Sequence, residues 1–178
     1  MIKEDRHKSI FNPYTDILSQ IKNMEFQIIP LAEEDFPEVT SLWEASVRAS
    51  HRFLSEADIQ FYKPLILSDY LPTLNLFGIR HASRGIAGFI GVAERRIEML
   101  FVQPDDFGKG IGQALCRFAV QHLGAQEVDV NEDNQGALKF YLKMGFKVVG
   151  RSPLDPSGKP FPILHLKAND RLSFYFLN

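Results

Sequence analysis

The sequence predicts a mixed α/β domain in which helices cover both faces of a central sheet. Three β-type segments follow one another between residues 76 and 102, which is the order of an antiparallel meander. From residue 110 onward, helical and β-type segments alternate, which is typical of βαβ units. The chain has 178 residues, 45% of them hydrophobic and 24% charged, which is enough for one globular domain with a substantial core.

The first half of the chain is predicted to begin with a strand and two helices. Residues 24–31 (MEFQIIPL) are typical of a strand. Ser55 is a typical N-cap for a second helix, which Pro64 is expected to kink or divide. The first helix is predicted over residues 33–49, because four apolar residues recur there at helical spacing: Phe36, Val39, Trp43 and Val47.

The remaining elements follow the meander and then the alternating pattern. The strands of the meander are predicted at residues 76–80, 86–93 and 97–102, with a turn at 82–85 between the first two. The later elements are predicted as helix 110–123, strand 127–130, helix 134–143, strand 146–149, a loop rich in Pro and Gly, and strand 161–167.

The two ends are expected to lie outside this domain, which spans residues 24–168. Residues 1–23 are interpreted as an N-terminal extension, either an extra helix over residues 14–21 or the product of an upstream translation start. The aromatic C-terminal tail, residues 169–178, is interpreted as an edge strand or a segment docked on a neighbour. The chain is therefore expected to be a monomer or a homodimer.

Composition excludes several classes of function. A formal net charge of −2 gives no field that gathers polyanions, so nucleic acid is not expected as a partner. The single cysteine, Cys116, rules out an internal disulfide and is predicted to be buried and inert, and no Cys/His spacing indicates a metal site. No uncharged apolar run approaches the length of a membrane-spanning helix, so we expect no membrane partner and a cytoplasmic location.

The most informative segment is IEMLFVQPDDFGKGIGQAL, residues 97–115, in which a strand, three alternate glycines and a helix follow one another. Gly108, Gly110 and Gly112 carry no Cβ, so successive N–H groups can converge on phosphate oxygens where the helix begins. The segment therefore predicts a site for the diphosphate of a nucleotide-like cofactor.

The spacing of the glycines narrows the choice of cofactor. The dinucleotide pattern G-x-G-x-x-G requires a small last residue, but the chain has Gln113 or Leu115 there, depending on which glycine begins the count. The run G-x-x-x-x-G-K-S/T of a P-loop is absent. An oxidoreductase with a nicotinamide cofactor is therefore a weakened alternative.

A second motif follows in NEDNQGALKFYLKMGF, residues 131–146. Its helical part places Asn134 and Tyr141 on one face, roughly 10 Å apart at 1.5 Å rise per residue. The sequence alone predicts Asn134 as a helix N-cap and leaves open whether Tyr141 is a core aromatic or a functional group.

Taken in order, V-x-P, G-x-G-x-G, N-x-x-N, a helix with F-Y and M-G-F resemble the GNAT superfamily of acyl-CoA-dependent N-acyltransferases, most closely a YjaB-like bacterial branch. The resemblance covers about residues 24–167, including WEASVRASHRFL at 43–54 and GRS at 150–152. It implies a GNAT-type mixed central β-sheet flanked by helices, with splayed central strands.

The resemblance also implies how acetyl-CoA, as co-substrate and without a metal, would bind. Main-chain groups of Leu100, Phe101 and Val102 would hold the pantetheine arm, and the glycine loop would hold the diphosphate. The family's usual Arg or Gln is replaced by Phe107, which leaves the backbone amides and Lys109 as donors. The cofactor-binding residues are thus predicted to be Leu100, Phe101, Val102, Phe107, Gly108, Lys109, Gly110, Ile111, Gly112, Gln113, Asn134 and Tyr141.

Three side chains are candidates for catalysis. Tyr141 is expected to meet the thioester sulfur, because proton transfer from tyrosine (pKa ~10) to a thiolate (~8.5) is uphill by only roughly 2 kcal/mol. Glu98 and His51 are candidate bases; Glu98 shares strand parity with Leu100, and His51 lies in the linker between two helices. In the histone-modifying branch the base glutamate lies where this chain has Arg96.

The predicted reaction is direct transfer of an acetyl group from acetyl-CoA to a primary amine. The acceptor, a small-molecule amine or a peptide amine, is expected near residues 155–162 and the side chains of Trp43, His51, Phe53 and Tyr62. The alternative is a catalytically weak or inactive acyl-CoA-binding sensor or regulatory protein, in which Phe107 marks lost activity.

Overall fold

The computed structural model describes residues 26–169, so the interpretations of residues 1–23 and of the tail lie outside the described residues. Seven strands form its sheet: β1 (Ile28–Pro30), β2 (Asn75–His81), β3 (Gly85–Ala93), β4 (Arg96–Val102), β5 (Glu127–Asn131), β6 (Phe146–Ser152) and β7 (Ile163–Ala168). Four α-helices flank it: α1 (Phe36–Ser50), α2 (Glu56–Leu65), α3 (Ile111–His122) and α4 (Gln135–Lys143).

The helix ends follow from local chemistry. Ser55 caps α2 as predicted, accepting a hydrogen bond from the Asp58 N–H at 3.2 Å. The α-helix ends at Leu65, directly after Pro64, and continues as a single π-helical turn. Residues 33–35, predicted as part of the first helix, form a 3-10 turn before α1.

The sheet is mixed, with strand order β1-β2-β3-β4-β5-β7-β6. Every neighbouring pair is antiparallel except β4 and β5. These two parallel strands pair only at Arg96 with Glu127 and Ile97 with Val128, although β4 continues to Val102 and β5 to Asn131. The predicted splay of the central strands is therefore confirmed, and among the described residues no strand pairs with the backbone of residues 100–102 on that side.

A register shift accompanies the splay. Gly91 of β3 lies opposite Met99 and Val92 lies opposite Ile97, so Glu98 is an extra residue in β4. Such a bulge interrupts the alternation of side chains along a strand. The regular alternation that would place the side chains of Glu98 and Leu100 on the same face of β4 is therefore interrupted.

Helices cover both faces of the sheet and bury a core under each. On one face α3 and α4 pack over residues that include Val128, Val130 and Leu166. On the other face α1 and α2 pack over Phe89 and Ile86. Cys116 is fully buried in the first core, as predicted, and burial raises the pKa of its thiol to about 12. None of the helices within residues 26–169 has the length and hydropathy needed to cross a membrane.

Candidate active site

A cavity of about 570 Å³ lies where β4 and β5 separate. Its walls come from both faces of the sheet, because Ser46 and Ser50 of α1 line one side and residues of α4 line the other. Leu100, Phe101 and Val102 of β4 line it between them. The cavity therefore opens a path through the sheet that a continuous ladder of hydrogen bonds would close.

Two residues of the glycine loop adopt the left-handed backbone conformation. Gly108 and Gly110 have φ of 78° and 87°, which residues with a Cβ rarely adopt. Gly110 is the N-cap residue of α3, so the unpaired N–H groups of the first helical turn follow it directly. The loop therefore presents main-chain donors and the positive end of a helix dipole to the cavity.

The surroundings of Gly112 show whether a cofactor fits the space between the glycine loop and α4. It lies inside α3, where a Cβ would approach the Phe140 ring at 3.6 Å and Val102 at 3.7 Å, both ordinary contact distances. The fold therefore tolerates a side chain at this position. A Cβ would instead fill space between two residues that line the cavity. The residues present thus fit a ligand with phosphates at the loop and an extended arm along β4.

Two residues of the predicted diphosphate site have different environments. Phe107 lines the cavity and its side chain is exposed. Lys109 does not line it, and its ammonium pairs with Asp106 at 3.0 Å. The remaining predicted residues of the loop line the cavity: Gly108, Gly110, Ile111, Gly112 and Gln113.

Asp106 is a buried carboxylate at the base of this loop, with 1% of its side chain exposed. Besides Lys109, it accepts hydrogen bonds from His81 at 2.9 Å and from Arg84 at 3.3 Å. Burial favours the neutral acid, but the hydrogen bonds from His81 and Lys109 outweigh it and lower the pKa of Asp106 to about 2. The ionised carboxylate thus joins the β2–β3 hairpin to the glycine loop.

We expect the Asp106→Asn variant to lose about 1–3 kcal/mol of unfolding free energy at pH 7, since the buried side chain loses the charge that its three hydrogen-bond donors pair with. The folded-state pKa lies below the ordinary value of 3.8, so this stabilisation is present above pH 4 and disappears as the pH falls toward 2. Urea unfolding across this range measures it. Asp105→Asn, at an exposed position, is the matched control, and equal stability of both variants at pH 7 would contradict the prediction.

Asn134 combines two predicted features. Its Oδ1 accepts the N–H of Ala137 at 3.0 Å and caps α4, which confirms the N-cap prediction. Its Nδ2 lies 3.2 Å from Nε2 of His51, so the amide links α4 to the end of α1. Both residues line the cavity.

His51 is held as a neutral imidazole by these contacts. Because Asn134 donates to Nε2, the hydrogen-bond network assigns the proton to Nδ1, which lies 2.8 Å from Ser50 Oγ. Ser50 in turn donates to the carbonyl of Ser46. Burial lowers the pKa of His51 to about 4, which makes it a weak base.

Tyr141 lies on α4 with 6% of its surface exposed. Its ring packs edge-on against Phe140 and Phe146, and it lines the cavity. Within residues 26–169 its hydroxyl makes no hydrogen bond. Burial raises the pKa of Tyr141 well above 10, so the phenol stays protonated and remains a donor without an acceptor among the described residues.

Glu98 lies apart from Tyr141 and His51. It lines a second, polar cavity of about 550 Å³ with Arg96 and Glu127. Burial raises the pKa of Glu98, and the charge of Arg96 opposes that rise. The structure therefore brings two of the three catalytic candidates together and places the third elsewhere.

Several residues that line the main cavity were not predicted from the sequence: Ser46, Ser50, Asp106, Gly136, Ala137, Phe140 and Lys143. Those on α4 share its cavity-facing side with Asn134 and Tyr141, so helical spacing was the available signal. Trp43, expected near the acceptor, is buried in the core under α1 and α2 with 5% of its surface exposed. In the part of the chain that the structure describes, no group of three or more His, Cys, Asp or Glu side chains is placed to hold a metal ion.

Residues 68–158 match the acetyltransferase (GNAT) domain family. The chain is 38% identical over 133 residues to the peptidyl-lysine N-acetyltransferase YjaB of Salmonella typhimurium, a match that covers 75% of this chain and 91% of that protein. The solution structure of apo-form YjaB from Escherichia coli superposes with a TM-score of 0.73 at 35% identity, covering 81% of this chain and 97% of that one. PaiA N-acetyltransferase of Thermoplasma acidophilum, solved in complex with coenzyme A, shares the fold, with a TM-score of 0.64 at 22% identity over 82% and 99% of the two chains.

Proposed function

Because the chain belongs to the GNAT acetyltransferase family and is an acetyltransferase, we propose that it transfers an acetyl group from acetyl-CoA to the side-chain amine of a peptidyl lysine. The observation that carries the proposal is the cavity in the splay, which has the glycine loop at one end and in its wall a tyrosine hydroxyl with no hydrogen-bond partner among residues 26–169. The YjaB relatives, named for action on peptidyl lysine, support the choice of acceptor.

Main-chain groups of this protein would hold acetyl-CoA, which when bound supplies a thioester with a transferable acetyl group. The amides at the start of α3 would bind its diphosphate. The backbone of residues 100–102, which pairs with β3 but not with β5, leaves hydrogen-bonding groups free on the side of the cavity. These groups suit the amides of a pantetheine arm, at about 0.5–1.5 kcal/mol net for each hydrogen bond.

Tyr141 is proposed to donate a hydrogen bond to the sulfur that leaves. Its side chain lines the cavity, and a donor aimed at developing negative charge in an environment of low dielectric constant is worth more than in solution. The raised pKa of Tyr141 makes complete proton transfer harder, so the stabilisation comes chiefly from the hydrogen bond. Asn134 and His51 lie in the same wall, and we propose that they position α4 against α1.

The acceptor is proposed to approach from the face on which α1 and α2 pack. The glycine loop and α4 occupy the other face, so within residues 26–169 the face with α1 and α2 is the one proposed for a second substrate. The α1–α2 linker and the loop after β6 meet there: Phe53 contacts Phe161 at 5.9 Å between ring centroids, and Lys159 pairs with Asp58 at 2.7 Å. These two segments form one wall of the approach.

A lysine acceptor needs to lose a proton before attack. At pH 7 that costs about 4.6 kcal/mol for an amine with pKa ~10.4. Of the two candidate bases, the raised pKa of Glu98 suits this task better than the lowered pKa of His51. Glu98 lines the second cavity and not the one that Tyr141 and His51 line, so we assign no side chain as the base.

The test is a transfer assay with purified full-length chain, acetyl-CoA and a panel of short lysine peptides. We expect acetylated lysine, identified by mass spectrometry, and free thiol in equal amounts. Matched peptides in which arginine replaces lysine keep the charge and should give neither product. Binding of acetyl-CoA without acetyl transfer to any peptide or small amine would overturn the proposal and favour the sensor alternative.

A further inference from the structure

Three polar side chains on neighbouring strands lie in a row on the sheet face opposite α3 and α4. Asp129 of β5 lies directly opposite His165 of β7. On the other side of His165 lies Gly150 of β6, and Ser152 follows two residues later on the same strand. The residues that alternate with Asp129 and His165 belong to the core under α3 and α4, so these two side chains point to the other face. The sheet thus brings a carboxylate, an imidazole and a hydroxyl together.

The three groups form a continuous chain of hydrogen bonds. His165 Nδ1 lies 2.7 Å from Oδ1 of Asp129, and His165 Nε2 lies 2.7 Å from Oγ of Ser152. Because a carboxylate only accepts, an imidazole with a single proton carries it on Nδ1 and accepts the hydroxyl proton of Ser152 at Nε2. Arg96 pairs with the same carboxylate oxygen at 2.8 Å and holds it in place. Hydroxyl, imidazole and carboxylate in this order activate a serine as a nucleophile.

We propose that Ser152, His165 and Asp129 form a further catalytic site, which hydrolyses short-chain carboxylic esters through an acyl group on Ser152. None of the three lines either of the two cavities described above. The site is therefore separate from the one proposed for acetyl-CoA and does not depend on it. Its reaction is acyl transfer to a hydroxyl and then to water, and not to an amine.

The site is accessible to a small substrate. The side chains of His165 and Asp129 are 37% and 35% exposed, and Ser152 is half-buried. Gly150 places no side chain against the imidazole, whereas a Cβ there would contact Cδ2 of His165 at 3.4 Å. The φ of Gly150 is not positive, so the backbone does not require glycine at this position. Because β6 is an edge strand, the N–H groups on its outer side pair with no strand among residues 26–169 and can donate to a carbonyl oxygen.

The reaction balances with water as the only other reactant. Ser152 Oγ attacks the ester carbonyl, and its proton passes to Nε2 of His165. The bond between the carbonyl carbon and the alcohol oxygen then breaks, the alcohol leaves with that proton, and the acyl group stays on Ser152. Water attacks this acyl group and gives a proton to Nε2, and the carboxylic acid leaves as Oγ takes the proton back. Asp129 orients the imidazole and stabilises its charged form in both steps.

The experiment treats the full chain with a fluorophosphonate, which phosphonylates activated serines with loss of fluoride, and separately with p-nitrophenyl acetate. We expect the phosphonate on Ser152, located by peptide mass spectrometry, and release of p-nitrophenol. His165→Gln should slow the labelling of Ser152 about 10²-fold, and Asp129→Asn at least about tenfold. Ser152→Ala should lose the label. Ser41→Ala removes an exposed hydroxyl that contacts the carbonyl of Pro37, and as the matched control it should react like the wild type.

The label on Ser152 is decisive, because an exposed imidazole can release p-nitrophenol without a serine. Absence of the label from Ser152 in the wild type would overturn the inference. Labelling at the wild-type rate in both His165→Gln and Asp129→Asn would also overturn it, since the serine would then react without the other two groups. Thermal unfolding shows which of these variants are folded, and either folded variant alone gives the comparison.

Discussion

The Tyr141→Phe variant is expected to fold and to bind acetyl-CoA like the wild type, yet to turn over about 10²–10³-fold more slowly. Only the hydroxyl is removed, and within the described residues that hydroxyl makes no hydrogen bond, so its loss leaves no buried partner unsatisfied. The edge-on contacts of the ring with Phe140 and Phe146 remain. A donor aimed at the leaving sulfur acts chiefly in the transition state, so its removal lowers kcat more than it raises KM.

Steady-state kinetics with a saturating lysine peptide measure this effect, and thermal unfolding checks the fold. Tyr70→Phe is the matched control, because Tyr70 is exposed and lines neither cavity. That variant should keep kcat within a few-fold of the wild type. An unchanged kcat in Tyr141→Phe would remove the proposed role of the tyrosine.

The Gly112→Ala variant is expected to lose affinity for acetyl-CoA without losing stability, and Gly112→Val is the larger replacement at the same position. At 3.6–3.7 Å from Phe140 and Val102, a Cβ contacts the protein without a clash. Replacing a helical glycine with alanine stabilises a helix by about 0.5–1 kcal/mol. The added Cβ occupies space in the proposed cofactor site, so we expect the affinity for acetyl-CoA to fall about tenfold for alanine and further for valine.

Gly124→Ala is the control, because it is expected to lower stability and to leave the affinity for acetyl-CoA unchanged. Gly124 has φ of 66° and no atom within 4 Å of a built Cβ, and it does not line the cavity. Alanine there strains the backbone, so stability should fall while affinity stays unchanged. Calorimetry and thermal unfolding of the three variants give both quantities. If Gly112→Val bound acetyl-CoA as tightly as Gly124→Ala, the space beside Gly112 would not be the binding site.

Local patterns in the sequence were sufficient to predict those parts of the site that depend on residues close together in the chain. The start of α3 directly after the glycines, the cap formed by Asn134 and the shared helix face of Asn134 and Tyr141 all arise within one turn or helix. The mixed sheet follows from the order of its elements, because short connections leave few topologies open. The splay itself was implied by family resemblance and not by any residue pattern.

Features that depend on distant pairing were not predictable in this way. Asp106 lies in a Pro-Asp-Asp bend that is typical of an exposed turn, and its burial depends on His81 and Arg84 of a separate hairpin. The extra residue at Glu98 depends on the register between β3 and β4, which alternation along one strand does not reveal. The oligomeric state stays a prediction, since it involves surfaces between chains.

Calorimetric titration of acetyl-CoA into the folded wild-type chain most directly tests whether the cavity in the splay is a cofactor site. We predict saturable binding of one molecule per chain, weakened in Gly112→Val and retained in Gly124→Ala. Absence of heat at millimolar acetyl-CoA, on protein whose cooperative unfolding shows that it is folded, would contradict the account.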